Sequence, residues 1–256
     1  MSGHSKPMVV ASDTSRAVTL TLSGAGGVAS LGPKTIEALL TEIKAISGLR
    51  RVLILRGSEQ GFCRGMDLEA LSQWPDGQST RILHESFQDL LKALAMHDAA
   101  TVAVVEGDAF GGGVALASAC DFVIANPCAR FAMPELLWGL LPANAAPVIA
   151  RRIGAAATRR LTLLTEPVTG ELAYAQGLVD FLVEDDAKID GLLRRLVLRA
   201  DRLPDGIVPE VRQLFNRLQD DPFGYDAFAL ERMTRITDDP AFRRDVVERV
   251  RKMTGI

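Results

Sequence analysis

Cysteine is scarce in this chain: Cys63, Cys120 and Cys128 are the only three among 256 residues. They form neither a CxxC pair nor a disulfide framework, and such low usage suits a reducing cytosol. Histidine is equally rare, at His4, His84 and His97, and these side chains together match no metal-ligand spacing, so no metal is expected. Basic clusters are missing too. Lys and Arg total 29 against 32 Asp and Glu, a net charge of −3, which argues against nucleic acid or an anionic membrane as the main partner. The longest apolar stretch, residues 136–150, is broken by Pro142, Asn144 and Pro147, so no bilayer span is expected. Residues 1–6 are polar and offer no apolar core for a signal peptide. These absences lead to the expectation of a soluble, cytoplasmic protein.

The chain does contain enough apolar residues, 48% of the total, to bury one substantial core, alone or with a helical appendage. Residues 17–22 (AVTLTL) alternate as a strand does, and 51–56 (RVLILR) and 101–105 (TVAVV) read as strands buried on both faces. Residues 122–125 form another. Between them, 33–46 carry helical periodicity after a Gly-Pro start, and 80–96 place Leu83, Phe87, Leu90, Leu91 and Leu94 on one helical face. A short helix is read over 66–73 and a small-residue helix ending near Cys120. Strands alternating with helices imply a mainly parallel sheet in an α/β fold. After Leu141 the pattern is helical, at about 144–164, 171–177, 187–202, 206–219, 224–236 and 239–253, with a short strand at 178–183. The expected division is a β/α core over 1–200 and a helical region over 201–256, with the boundary at Pro204-Asp205-Gly206.

Two small-residue loops lie between a buried strand and a helix, where ligands sit in α/β sheets. They are 61–67 (GFCRGMD) and 106–113 (EGDAFGGG). Neither is a nucleotide P-loop, since the lysine and hydroxyl are missing, and neither reads G-x-G-x-x-G. Either alone is accounted for by a tight turn before a helix. Helix N-termini, however, expose free N–H groups, and glycine lets a ligand approach them. Two such ends aimed at one point make an oxyanion hole, in which losing one donor costs roughly 3–4 kcal/mol of transition-state stabilisation.

The segments FCRGMDLEAL, TVAVVEGDAFGGGVALASACDFVIA and ARFAMPELLWGLLP resemble, in order and spacing, the linked segments of the crotonase (enoyl-CoA hydratase/isomerase) superfamily. The resemblance continues through RRIG and LAYAQGLVD and covers roughly residues 15–185. It implies a crotonase β/α spiral with C-terminal helices, assembled as a trimer or dimer of trimers. It also implies an acyl thioester substrate on the phosphopantetheine of CoA or an acyl carrier protein, with no further cofactor. The oxyanion donors would be the backbone N–H groups of Met66 and Gly112, with Gly65 and Gly111 at the substrate.

Hydratases of this family use two glutamates. The second corresponds to Glu135, but the first falls on Ala115, which can neither give nor take a proton. Glu135 follows Pro134 at an expected helix N-terminus, in a nearly apolar segment. It reads as an ordinary first-turn glutamate or, with the family pattern, as the catalytic group; burial would raise its pKa and the helix dipole would lower it. One carboxylate suits either dehydration of a 3-hydroxyacyl thioester or Δ3-Δ2-enoyl-CoA isomerisation. FCRGMDLE, DAATVAVVEG and PELLWGLLPA are similar to the dehydrating enzyme of polyketide β-branching cassettes, which converts 3-hydroxy-3-methylglutaryl on a carrier protein to 3-methylglutaconyl. A catalytically silent carrier-protein-binding scaffold is the third alternative.

Other candidates divide in the same way. Arg64 neutralises a substrate carboxylate or carrier phosphate, or is a solvated loop residue. Asn144 hydrogen-bonds substrate or caps a helix. Cys63 would need an activating histidine to act as a nucleophile. His84 and Glu85 read as exposed on the polar side of their helix.

Overall fold

A computed structural model describes residues 8–13, 16–46, 48, 52–58, 60–68, 77–203 and 206–218, with single positions 234, 238 and 248. Strands β1 (Met8–Asp13) and β2 (Ala17–Ser23) form an antiparallel pair. From β2 onward the chain winds in repeated turns. Each turn places one strand in a large sheet, one short strand in a smaller sheet, and then a helix. The first turn is β2, β3 (Ala29–Leu31) and α1 (Pro33–Ile46); the second is β4 (Val52–Arg56), β5 (Cys63–Met66) and α2 (Gly77–Ala95). The third is β6 (Ala100–Val105), β7 (Ala109–Phe110) and α3 (Gly112–Ala119). Strands β8 (Phe122–Ala125) and β9 (Arg130–Ala132) begin a fourth, which continues through a 3₁₀ turn (Pro134–Trp138) into α4 (Ala145–Leu164). Then come β10 (Val168–Thr169), α5 (Gly170–Ala175), β11 (Phe181–Leu182), α6 (Asp186–Ala200) and α7 (Ile207–Leu218).

The large sheet has the order β1-β2-β4-β6-β8-β11 and is parallel except at β1/β2; the small sheet has the order β10-β9-β7-β5-β3 and is parallel except at β10/β9. The single sheet expected from the alternation is thus two. Five short strands that make the second sheet are only two to four residues each, too short for any periodicity to register, and they fall in segments that read as loops.

The continuous apolar runs are explained by burial on both faces of the large sheet. Leu53, Leu55, Ala103, Val105 and Val123 point into the main core, against α1, α2 and the small sheet. Their alternates Val52, Ile54, Val102, Val104 and Ile124 pack on Ile189 and Leu192 of α6. On α2 the stripe Leu83, Phe87, Leu90, Leu91 and Leu94 is buried throughout; fully burying one such side chain contributes about 1.5–3 kcal/mol.

Helix α7 is tied back to the core by Arg212, which donates to Asp121, to the Ala99 carbonyl and to Thr101 Oγ1. The boundary read at Pro204-Asp205 and the helices read over 224–236 and 239–253 fall, apart from isolated positions, outside the described residues. So do residues 69–73 of the short helix read over 66–73. Among the described residues, no helix is long and apolar enough to cross a membrane.

Candidate active site

The end of β5 and the start of α3 meet back to back. Gly65 has φ +82°, and a Cβ built there would lie 2.8 Å from the Phe110 carbonyl oxygen and 3.1 Å from the Gly112 nitrogen. Only a residue without a side chain permits that approach. Gly112 opens α3, so its N–H has no acceptor within the helix. Asp67 N–H donates to Leu31 O on β3 at 3.4 Å. Strand β5 lies between β3 and β7 in the small sheet. Met66 was expected at a helix N-terminus; it is instead the last residue of a strand. The two amides therefore come from a strand end and a helix start.

Glu135 comes to the same place from the 3₁₀ turn. A Cβ on Gly111 would lie 2.8 Å from Glu135 Oε1, so the carboxylate rests against the Gly111 backbone. Its Oε2 is buried with no hydrogen-bond partner among the described residues. The expected helix at Glu135 is a five-residue 3₁₀ turn that stops at Gly139 (φ +72°), too short for a sizeable dipole. Burial therefore prevails, and it pushes the Glu135 carboxyl up to about 7. The surrounding segment is less buried than its composition suggests: Leu137 and Leu141 are exposed, and Trp138 is half-buried.

His84 reverses its expectation. It is 4% exposed, not solvated, and lines the same cavity as Glu135. The signal was present: His84 stands three residues before Phe87 and seven before Leu91, on the buried stripe of α2. Asn144, at the start of α4, makes no capping bond. Its side chain reaches across to α2, where Oδ1 accepts from Gln88 Nε2 at 3.2 Å and Nδ2 lies 3.2 Å from His84 Nδ1 and 3.4 Å from the His84 carbonyl. His84 Nε2 is buried without a partner among the described residues, and burial drives the imidazole down to about 4, so the ring is neutral near pH 7.

The remaining candidates separate. Arg64 is exposed at the cavity mouth. Cys63 is fully buried, and burial pushes its thiol up to about 12, which removes it as a nucleophile. Ala115 lies fully buried in α3. Glu85 is half-exposed and pairs with Arg81 on the outside of α2. Among the described residues the cavity walls are otherwise largely apolar, formed by Phe87, Leu140, Pro142 and Ala143 beside Trp138, whose Nε1 is also buried without a partner among them. Such a cavity suits an acyl group, with few polar atoms to orient it.

A family model described as enoyl-CoA hydratase/isomerase matches residues 18–223. The bacillaene synthase dehydratase PksH of Bacillus subtilis is 32% identical over 200 residues, which cover 78% of this chain and 76% of that protein. The crystal structure of a polyketide biosynthesis enoyl-CoA hydratase, PksH, of Bacillus subtilis superposes with a TM-score of 0.85 at 25% identity, covering 96% of this chain and 98% of that one. An enoyl-CoA hydratase structure from Bacillus halodurans, at 20% identity, gives a TM-score of 0.86 over 94% and 99% of the two chains.

Proposed function

Because this chain belongs to the enoyl-CoA hydratase/isomerase family, crotonase fold included, we propose that it dehydrates a 3-hydroxyacyl thioester: 3-hydroxy-3-methylglutaryl on an acyl carrier protein, giving 3-methylglutaconyl. The observation that carries the reading is the single carboxylate among the described residues that line the cavity. Glu135 rests its Oε1 against the Gly111 backbone and has a buried Oε2 without a partner among the described residues, while the position of a second glutamate is Ala115. The dehydratase PksH among the relatives supports the direction of reaction.

In this reading the thioester oxygen accepts hydrogen bonds from Met66 N–H and Gly112 N–H. Glu135 removes the proton from C2, and the electron pair moves onto the thioester oxygen as an enolate. When the carbonyl re-forms, that pair makes the C2–C3 double bond and the C3–O bond breaks. Glu135 then returns the proton to the departing hydroxide, which leaves as water. A carboxyl near 7 suits both halves, since it is neither too weak a base nor too weak an acid. Gly65 and Gly111 provide the close approach, and Arg64 at the mouth is placed for a carrier phosphate or a substrate carboxylate. The acyl group arrives on a phosphopantetheine arm, and no other cofactor is required.

Mass spectrometry of a carrier protein loaded with 3-hydroxy-3-methylglutaryl, with and without the protein, tests this. The expected result is loss of one water from the arm, abolished in Glu135→Ala. No loss from a competent carrier overturns it. The same single carboxylate favours Δ3-Δ2-enoyl-CoA isomerisation as the second reading, tested with 3-enoyl-CoA. A scaffold would bind the carrier protein equally well with Glu135→Ala and turn over neither substrate.

A further inference from the structure

We propose that His84 is a substrate-binding residue: its Nε2–H donates a hydrogen bond to an oxygen on the acyl chain, so that the site selects oxygenated acyl thioesters over plain alkyl ones. This rests on the reading of the cavity as an acyl-thioester site and names the feature of the acyl group that it selects.

The proton on His84 is located by its neighbours. The His84 carbonyl can only accept, so the Asn144 atom facing it, at 3.4 Å, is the amide nitrogen. That same nitrogen lies 3.2 Å from His84 Nδ1, which must then be the acceptor. Gln88, donating to Asn144 Oδ1 at 3.2 Å, holds the amide in this orientation. In a neutral ring with Nδ1 accepting, Nε2 carries the proton. That donor is buried and without a partner among the described residues, on a ring that lines a cavity with largely apolar walls. A buried donor without an acceptor is costly to leave unmade, and an oxygen on a bound ligand satisfies it. The acyl group supplies two oxygen-bearing groups in the proposed substrate, the C3 hydroxyl and the distal carboxylate. An alkyl chain supplies none. Trp138, which also lines the cavity, has a buried Nε1 without a partner among the described residues and serves as the comparison.

The test is a binding comparison in the Glu135→Gln protein, where turnover is stopped. Dissociation constants are measured for butyryl, 3-hydroxybutyryl and glutaryl thioesters, each on CoA and on a carrier protein. Preference for 3-hydroxybutyryl over butyryl by about 10-fold, lost in His84→Leu and restored in His84→Gln, is expected if the hydroxyl is the acceptor. The same pattern for glutaryl alone assigns the carboxylate. Butyryl binding should change less than about threefold in either variant. In ¹⁵N-histidine-labelled protein, the His84 Nε2–H resonance should shift with the preferred thioester and not with butyryl. An oxygen preference that survives His84→Leu, or that disappears instead in Trp138→Phe, overturns the proposal, as does equal binding of all three acyl groups. A protein that selects the 3-hydroxy group through His84 yet never dehydrates it would overturn the reaction and leave this contact standing. Dehydration together with an unaltered preference in His84→Leu would do the reverse, and failure to bind any thioester overturns both.

Discussion

Gly111 and Glu135 are fitted to each other: a Cβ on Gly111 would stand 2.8 Å from Glu135 Oε1, closer than real Cβ atoms come to another heavy atom. Gly111 also holds φ +52° and ψ −117°, a conformation that residues with a side chain rarely adopt. Gly111→Ala should therefore cost about 1–3 kcal/mol in urea unfolding and displace the carboxylate. The proposed dehydration by the folded fraction should fall on the order of 100-fold. Wild-type rates in Gly111→Ala would show that the contact does not position Glu135.

The pH dependence of turnover should report Glu135. A base must be ionised in the free enzyme, and burial places this carboxyl at about 7. Initial rates below KM should therefore rise with pH to an inflection near 7 and level off above it. An inflection in the ordinary carboxylate range, near 4.5, would mean that Glu135 is solvated in the working enzyme.

Stability should carry two opposed slopes. Glu135 rises from 4.5 to about 7 on folding, so the native state holds its proton more tightly and stability falls as pH increases across that window. His84 drops from 6.5 to about 4, so stability falls as pH decreases across its window. Each effect is at most on the order of 3 kcal/mol, and between pH 4.5 and 6.5 they offset one another. Glu135→Gln should expose the acid-side loss, to which the depressed His97 also contributes. His84→Gln should expose the alkaline-side loss. Denaturant melts of both variants from pH 4 to 8 check the signs, and parallel profiles would contradict the burial of these groups.

Removing Arg212 should loosen α7. Arg212 is 8% exposed and joins Asp121, Thr101 and the Ala99 carbonyl. Arg212→Met leaves that carbonyl and carboxylate short of a donor, at a cost of about 2 kcal/mol. Because the salt bridge is partly solvent-facing, the loss should stay below that of a fully buried pair. Thermal melts check the magnitude, and hydrogen exchange should show the protection loss concentrated in 207–218.

Much of the fold was legible along the chain because its signals are local. The large-sheet strands at 52–56 and 100–105 are continuous apolar runs, and Leu83, Phe87 and Leu91 repeat at helical spacing. The small sheet was not, because Ala109–Phe110 and Val168–Thr169 are two-residue strands defined only by their partners. The amides of Met66 and Gly112 were named from a resemblance; that one lies at a strand end is a matter of pairing with β3, which no local pattern records.

Residue order by itself determined an α/β pattern, and the sequence's resemblance to the enoyl-CoA hydratase/isomerase family picked out Glu135 and placed Ala115 where a second carboxylate would be. Those facts are properties of residue identity and spacing. Tertiary structure alone decided that Glu135 is desolvated over a 3₁₀ turn too short to stabilise its charge. It also decided that His84 faces inward and that Asn144, 60 residues further along, fixes the proton on its ring. Solvation and hydrogen-bond direction depend on what surrounds a group in space, and chain distance does not encode that.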